Sequence, residues 1–123
     1  MIIVGNIYTG YFAQMRKYTD CDVISIARWS PKWFTGEECK ILAPSANLLE
    51  RYRNGITNSD DYTKEYTAYL DSLDLTELIN NLTAREHDIV LCCYEKPTDF
   101  CHRHVLAEYC NKKYGTDIIE YTI

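Results

Sequence analysis

The stretch from Asp88 to Arg103, Asp-Ile-Val-Leu-Cys-Cys-Tyr-Glu-Lys-Pro-Thr-Asp-Phe-Cys-His-Arg, restricts the fold of this chain more than any other. It begins as an apolar run with the length of a buried strand, passes through a turn, and opens a helix. Reactive residue types crowd that junction: Cys93, Glu95, Cys101, His102 and Arg103 stand at or just past the strand end. In open α/β sheets, ligands bind outside the carboxyl ends of the strands. A helix N-terminus adds free backbone N–H groups and a partial positive charge, both suited to anions. The junction is therefore the candidate site.

The rest of the chain reads as strands alternating with helices. Met1 to Ile7 and Asp22 to Ala27 are short β-branched runs, and Asp117 to Ile123 reads as a last strand. Tyr8 to Tyr18 places Tyr8, Phe12 and Met15 at helical spacing, which predicts a short amphipathic helix. Arg28 to Thr35 is irregular and aromatic, and Glu37 to Ala43 reads as a short strand or extended segment. Helices are expected from Ser45 to a stop at Gly55, from an Asn58 cap through Leu73, from Leu75 to Leu82, and from Phe100 to a cap at Gly115. Thr98 or Asp99 is the expected cap of that last helix. This order predicts one α/β domain over residues 1–123: a Rossmann-like three-layer sandwich, with a mostly parallel sheet and helices on both faces. Parallel strands with right-handed crossovers share one exit edge, so Asn6, Thr9 and Arg28 are expected at the same rim as Cys93 to Arg103.

Composition narrows the partners. With 123 residues the chain can bury a core without staples. A net charge of −5 disfavours broad nucleic-acid binding, which needs a basic field, but leaves room for a local anion site. No apolar run reaches the length of a membrane span. The start, Met1-Ile2-Ile3-Val4-Gly5, reads as a strand rather than a signal peptide, so a cytoplasmic location is expected. The six cysteines are expected to be free intracellular thiols, with adjacent Cys92 and Cys93 facing opposite sides of the sheet. Cys92 and Cys110 read as core.

Leu91-Cys92-Cys93-Tyr94-Glu95-Lys96-Pro97, followed by Cys101-His102-Arg103 and Leu106-Ala107-Glu108, resembles the signature of the YeaO-like proteins, domain of unknown function 488. Ile24 to Pro31 is similar to that family's second strand, which ends in an Arg with a Pro shortly after, and Tyr8-Thr9-Gly10-Tyr11 to its first strand exit. The resemblance implies a Rossmann-like three-layer fold and no particular reaction. It also brings one departure. Family members often carry a His in the last strand, and Ile118 to Ile123 has none.

Each candidate has a chemical and a structural reading. Cys101 in a first helical turn gains thiolate character, His102 relays a proton, and Arg103 grips a phosphate or carboxylate in two-pronged fashion. Structurally, Cys101 fills a small gap while His102 and Arg103 tie down the loop. Cys93 reads as a nucleophile, a redox partner of Cys101, or a core residue. Glu95 reads as a general base or as the partner of Arg28 or Arg103. Arg28 beside Trp29 fits a planar anion or an Arg–aromatic packing cluster. A zinc site of Cys93, Cys101, His102 and His104 fits no usual spacing, and residues 102 and 104 leave a helix on different sides, so no metal is expected. Gly5 and Gly10 form no phosphate loop, and no cofactor is expected.

The sequence thus predicts a domain that binds a small anionic ligand, a nucleotide or phosphorylated metabolite, through Asn6, Thr9, Arg28, Trp29 and Arg103. Cys93, Glu95, Cys101 and His102 would carry any transfer or hydrolysis. The alternatives are a non-catalytic module that binds or sequesters a nucleotide, and a thiol redox protein. Homo-oligomer formation stays open.

Overall fold

A computed structural model describes residues 6–96 and 98–122. Five strands form one sheet: β1 Ile7–Tyr11, β2 Cys21–Ser25, β3 Glu37–Glu38, β4 Asp88–Cys93 and β5 Ile119–Glu120. Their order across the sheet is β3-β2-β4-β1-β5, and every pairing is parallel. Four helices accompany it: α1 Ala46–Arg53, α2 Ser59–Asp71, α3 Thr76–Thr83 and α4 His102–Tyr114. This is the expected α/β three-layer architecture.

The two layers that flank the sheet differ. On one side Ile24, Ile26, Ile89 and Leu91 pack against Leu48 of α1, Tyr66 and Leu70 of α2, Ile79 of α3 and Leu106 of α4. On the other, Val90 and Cys92 meet Phe12 and Tyr18, with Met15 and Phe34 against them. That second layer is the 3-10 segment Phe12–Lys17 together with the aromatic loop. Cys92 and Cys93 do face opposite sides, as strand pleating requires. No helix among the described residues is long and apolar enough to cross a membrane.

Local chemistry explains most boundaries. The Ser45 side chain accepts from Leu48 N at 3.1 Å, and Asn58 accepts from Asp61 N at 2.8 Å, each satisfying a first-turn donor. Gly115 ends α4 at φ 69°, a left-handed conformation that favours glycine.

The N-terminal reading needs correction. Residues 1–5 of the expected first strand lie outside the described residues. The observed strand runs on through Tyr11, where the spacing of Tyr8, Phe12 and Met15 had pointed to a helix. Five ladder partners on β4 decide the outcome, from Ile7 opposite Ile89 to Tyr11 opposite Cys93. Gly10 permits the close packing, because a Cβ there would stand 2.5 Å from Tyr18 Oη and 2.7 Å from Val90 Cγ1. The helix begins only at Phe12, as a 3-10 segment.

Candidate functional site

The chain leaves β2 toward β3 on one side and leaves β4 toward β5 on the other. Adjacent parallel strands whose connections diverge open a crevice at their carboxyl ends. Ala27, Arg28 and Trp29 follow β2, Cys93, Tyr94 and Glu95 end β4, and His102 and Arg53 complete the walls of a cavity of about 80 Å³. Trp29 is 52 % exposed and forms an open side, pinned where Tyr94 Oη donates to its carbonyl at 2.7 Å. A larger depression, about 580 Å³, is a separate groove between α2 and α4 that includes Cys101 but none of Arg28, Trp29, Cys93 or Glu95. The smaller crevice is the candidate site, because the reactive side chains converge there.

Its floor is built by the start of α4. The expected cap at Thr98 or Asp99 is corrected to Cys101, which leaves the backbone extended just before the first helical residue, His102. That places Cys101 beside Cys93. Their sulfurs lie within bonding contact, across Cα atoms 7.8 Å apart, so the expected six independent thiols reduce to four. Among those four, burial pushes Cys92 up to about 12 and Cys110 up to about 11, which keeps both protonated and inert.

His102 is buried, and its Nε2 donates to the Ile26 carbonyl at 2.8 Å. A carbonyl only accepts, so this bond fixes the proton on Nε2 and leaves Nδ1 as a lone pair, 3.9 Å from Cys101 Sγ. Burial first, offset by the Ile26 bond and reinforced by the Arg103 and His104 charges, brings His102 down to about 4. At neutral pH it is an uncharged imidazole.

Arg103 is fully buried, and the two-pronged partner expected for it is present in the protein itself. Its Nε and Nη2 each donate to Glu120 at 3.0 Å, while Nη1 donates to Cys93 Sγ at 3.1 Å and to the Glu95 carbonyl at 2.7 Å. The guanidinium is thus committed before any ligand arrives, which corrects the expectation that Arg103 grips the anion. Its remaining donors hold the end of β4 instead, at the Cys93 sulfur and the Glu95 carbonyl. Tyr11 stacks nearby, with its ring centroid 5.7 Å from the guanidinium carbon.

Thr9 belongs to the same buried network, donating to Glu120 Oε1 at 2.6 Å, and so supports the site without lining it. Burial raises the Glu120 carboxyl, but hydrogen bonds from His104, Arg103 and Thr9 and the Arg103 charge outweigh that and hold it at about 2. Glu120 and Arg53 are the residues missed from sequence. A lone acid within Ile118-Ile119-Glu120-Tyr121 was the available signal for the first; an exposed Arg at a helix end gives none.

Asn6 stands at the opposite edge of the sheet: its backbone N–H donates to Asp88 Oδ1 at 2.8 Å, at the starts of β1 and β4. Its expected place at the rim is therefore corrected; the strand begins where the sequence had suggested it would end. Arg28 does line the crevice, but its Nε donates to the Pro44 carbonyl at 3.0 Å and its Nη2 reaches those of Ala43 and Lys40 at 3.4 and 3.5 Å. Glu95 lines the crevice with an exposed side chain. His104 turns away to Glu120 at 3.2 Å.

A family model described as the Active DUF488-N3 subclade matches residues 7–114. No curated protein and no solved structure matches the chain.

Proposed function

This chain belongs to the DUF488 family, within its N3 subclade, and from that premise we propose that it binds a small anionic ligand at the β2–β4 crevice and acts on it with sulfur. The observation that carries this reading is the placement of Cys93 on the crevice floor with the buried Arg103 guanidinium 3.1 Å behind its sulfur. Once the Cys93–Cys101 pair is reduced, a cation held so close to a thiol has a chemical use, since the thiolate is the nucleophilic form. That the subclade is described as active agrees with a reactive site.

Recognition falls to the crevice walls. Arg53 stands at the end of α1, and no hydrogen bond or ion pair engages it among the described residues. Arg28 supplies a second cation from its carbonyl cradle. A cavity of about 80 Å³ admits only the reacting end of a molecule, since a single water occupies roughly 30 Å³. The remainder would lie over exposed Trp29, where a flat group such as a nucleobase stacks. Glu95, which lines the rim, would accept or return a proton. Nucleotides and phosphorylated metabolites satisfy these demands.

Thermal-shift titration with a panel of nucleotides and sugar phosphates tests the reading. At least one compound should raise the melting temperature of wild type. Arg53→Glu should leave the ligand-free protein nearly unchanged, as surface substitutions do, and abolish that ligand's shift. Equal shifts in both proteins would remove the anion from the crevice. Incubating the stabilising compound with wild type and Cys93→Ser, with products followed by mass spectrometry, separates catalysis from binding. Binding without turnover by wild type would establish the non-catalytic module. The contact of Cys93 and Cys101 favours a second reading, a dithiol–disulfide couple, in which the rate of oxidation by a small disulfide, and not any anion, would depend on both thiols.

A further inference from the structure

We propose that Cys93, Cys101 and His102 form a binding site for one thiophilic divalent cation of the zinc type, with an open coordination position facing the crevice. Three observations converge on it. First, one ligand atom from each residue falls within 4.8 Å of the others, and all three side chains are buried. Second, His102 is fixed in the state a metal requires. Its Nε2 proton is committed to the Ile26 carbonyl, which leaves the Nδ1 lone pair directed at the sulfurs. Metal-bound histidines almost always donate their other ring N–H in this way, often to a backbone carbonyl. Third, the backbone holds Cys93 and Cys101 wider apart than a disulfide prefers, with Cα atoms at 7.8 Å against the usual range of about 4.4–6.8 Å.

To share an ion, the two sulfurs, which lie in bonding contact, part while the imidazole keeps its place. Two thiolates on one tetrahedral zinc, each roughly 2.3 Å from the metal, stand roughly 3.8 Å apart, and a thiolate and an imidazole nitrogen roughly 3.6 Å apart. Cys101 Sγ and His102 Nδ1 are already 3.9 Å apart. Among the described residues the partner of the buried Nδ1 is the Cys101 sulfur, and a joined Cys93–Cys101 pair has no thiol proton to give it. A buried acceptor left unpaired is unfavourable; an ion at the centre of the triad gives the lone pair a partner.

Charge balances as well. From the dithiol state, the two thiols release two protons, two metal–sulfur bonds form, and two thiolates neutralise the dication. The positive charge of Arg103 is separately matched by Glu120, so its N–H to Cys93 Sγ remains a hydrogen bond to a coordinated thiolate, of the kind that orients ligands from outside the coordination sphere. Two sulfurs and one imidazole leave the fourth tetrahedral position free, the pattern of catalytic rather than structural zinc sites. Cys93 and His102 line the crevice, so that position opens toward it. This deepens the ligand reading by giving an anionic oxygen or a water a Lewis acid to meet, and it rests on that reading only for the direction of the open position.

The test needs no anion. The full chain, reduced with a phosphine and freed of metal, is titrated with Co²⁺ and then with Zn²⁺. One equivalent of Co²⁺ should give thiolate-to-metal charge-transfer absorption and intense tetrahedral d–d bands, and Zn²⁺ should displace it. Cys93→Ser and Cys101→Ser should each lose the charge-transfer band, while Cys21→Ser keeps it. Wild type carries a second readout that does not depend on the folding of either variant. Zn²⁺ should protect Cys93 and Cys101 from alkylation, mapped by mass spectrometry, while Cys21 and Cys39 label unchanged. Absence of a stoichiometric complex in reduced wild type, or full binding by Cys101→Ser, overturns the site. If metal binds and no anion does, the crevice reading fails and the metal site stands; the reverse outcome separates them the other way.

Discussion

Glu120→Gln exchanges one oxygen for a nitrogen and should cost this protein a large part of its stability. The carboxylate is the counter-ion of a guanidinium with no exposure, and it accepts from Arg103 twice and from Thr9. Glutamine keeps the shape but removes the charge, and its NH₂ group sets a donor against a donor. Removing one partner of a buried ion pair typically costs 3–5 kcal/mol, because the other charge stays buried and alone. Glu120 retains 19 % side-chain exposure, so water softens the loss, and the lower half of that range, about 3–4 kcal/mol, applies. A chain of 123 residues unfolds with an entropy near 0.26 kcal/mol/K, so the melting temperature should fall by roughly 12–15 °C. Differential scanning calorimetry at neutral pH measures this, with urea denaturation as a check on the free energy. The double variant Arg103→Met/Glu120→Leu should recover most of the loss, since apolar replacements of a buried pair are often neutral. The pH dependence supplies a sign test. The Glu120 carboxyl is lowered from 4.5 to about 2 on folding, so its stabilisation is complete above 4.5 and is lost as pH falls through the folded value. Wild type should show that acid-limb loss, and Glu120→Gln should lack it. A fall of less than about 1 kcal/mol at neutral pH, or an unchanged acid limb, would refute the counter-ion role.

Arg28→Ala should destabilise the fold, because the guanidinium ties the β2 exit to the carbonyls of residues 40, 43 and 44. The half-buried setting places the loss near the low end for charged hydrogen bonds, about 1.5 kcal/mol, read from the urea midpoint; an unchanged midpoint would return Arg28 to a purely ligand-facing role. Gly10→Ala should cost about 1–3 kcal/mol through overpacking, since the new methyl would meet Tyr18 and Val90 at 2.5–2.7 Å. Trimming Tyr18 to Phe in the same chain should restore part of that, and failure to do so would locate the clash elsewhere.

What the sequence revealed and what it hid divide along contact range. The β4–α4 junction was legible because its chemistry is local: Cys101 stands eight positions after Cys93, and a buried strand followed by a polar turn has one common outcome. The sheet and its parallel pairing followed from the alternation of elements. β1 was misplaced by several residues because Thr9, a polar residue in a buried strand position, broke the apolar pattern. Its hydroxyl is tolerated there only through Glu120, 111 residues away. The role given to Arg103 failed for the same reason. Its anion comes from the far end of the chain, and nothing within a helical turn of Arg103 announces it. Arg28 looked free for a ligand because backbone carbonyls, its real partners, leave no mark in a sequence.

The origin of that counter-ion has a temporal side. A ribosome releases a chain from its N-terminus onward, at roughly 5–20 residues per second. When α4 first emerges, β1, β2 and β4 are already available to collapse, but the acid that neutralises Arg103 is still seventeen positions behind it. For that interval the guanidinium has no carboxylate to follow it into the interior. The emerging chain therefore has reason to keep the start of α4 solvated until Glu120 arrives. The crevice floor, with the sulfurs of Cys93 and Cys101, would be the last part of the domain to close, and a nascent chain would carry those two thiols open to solvent until then.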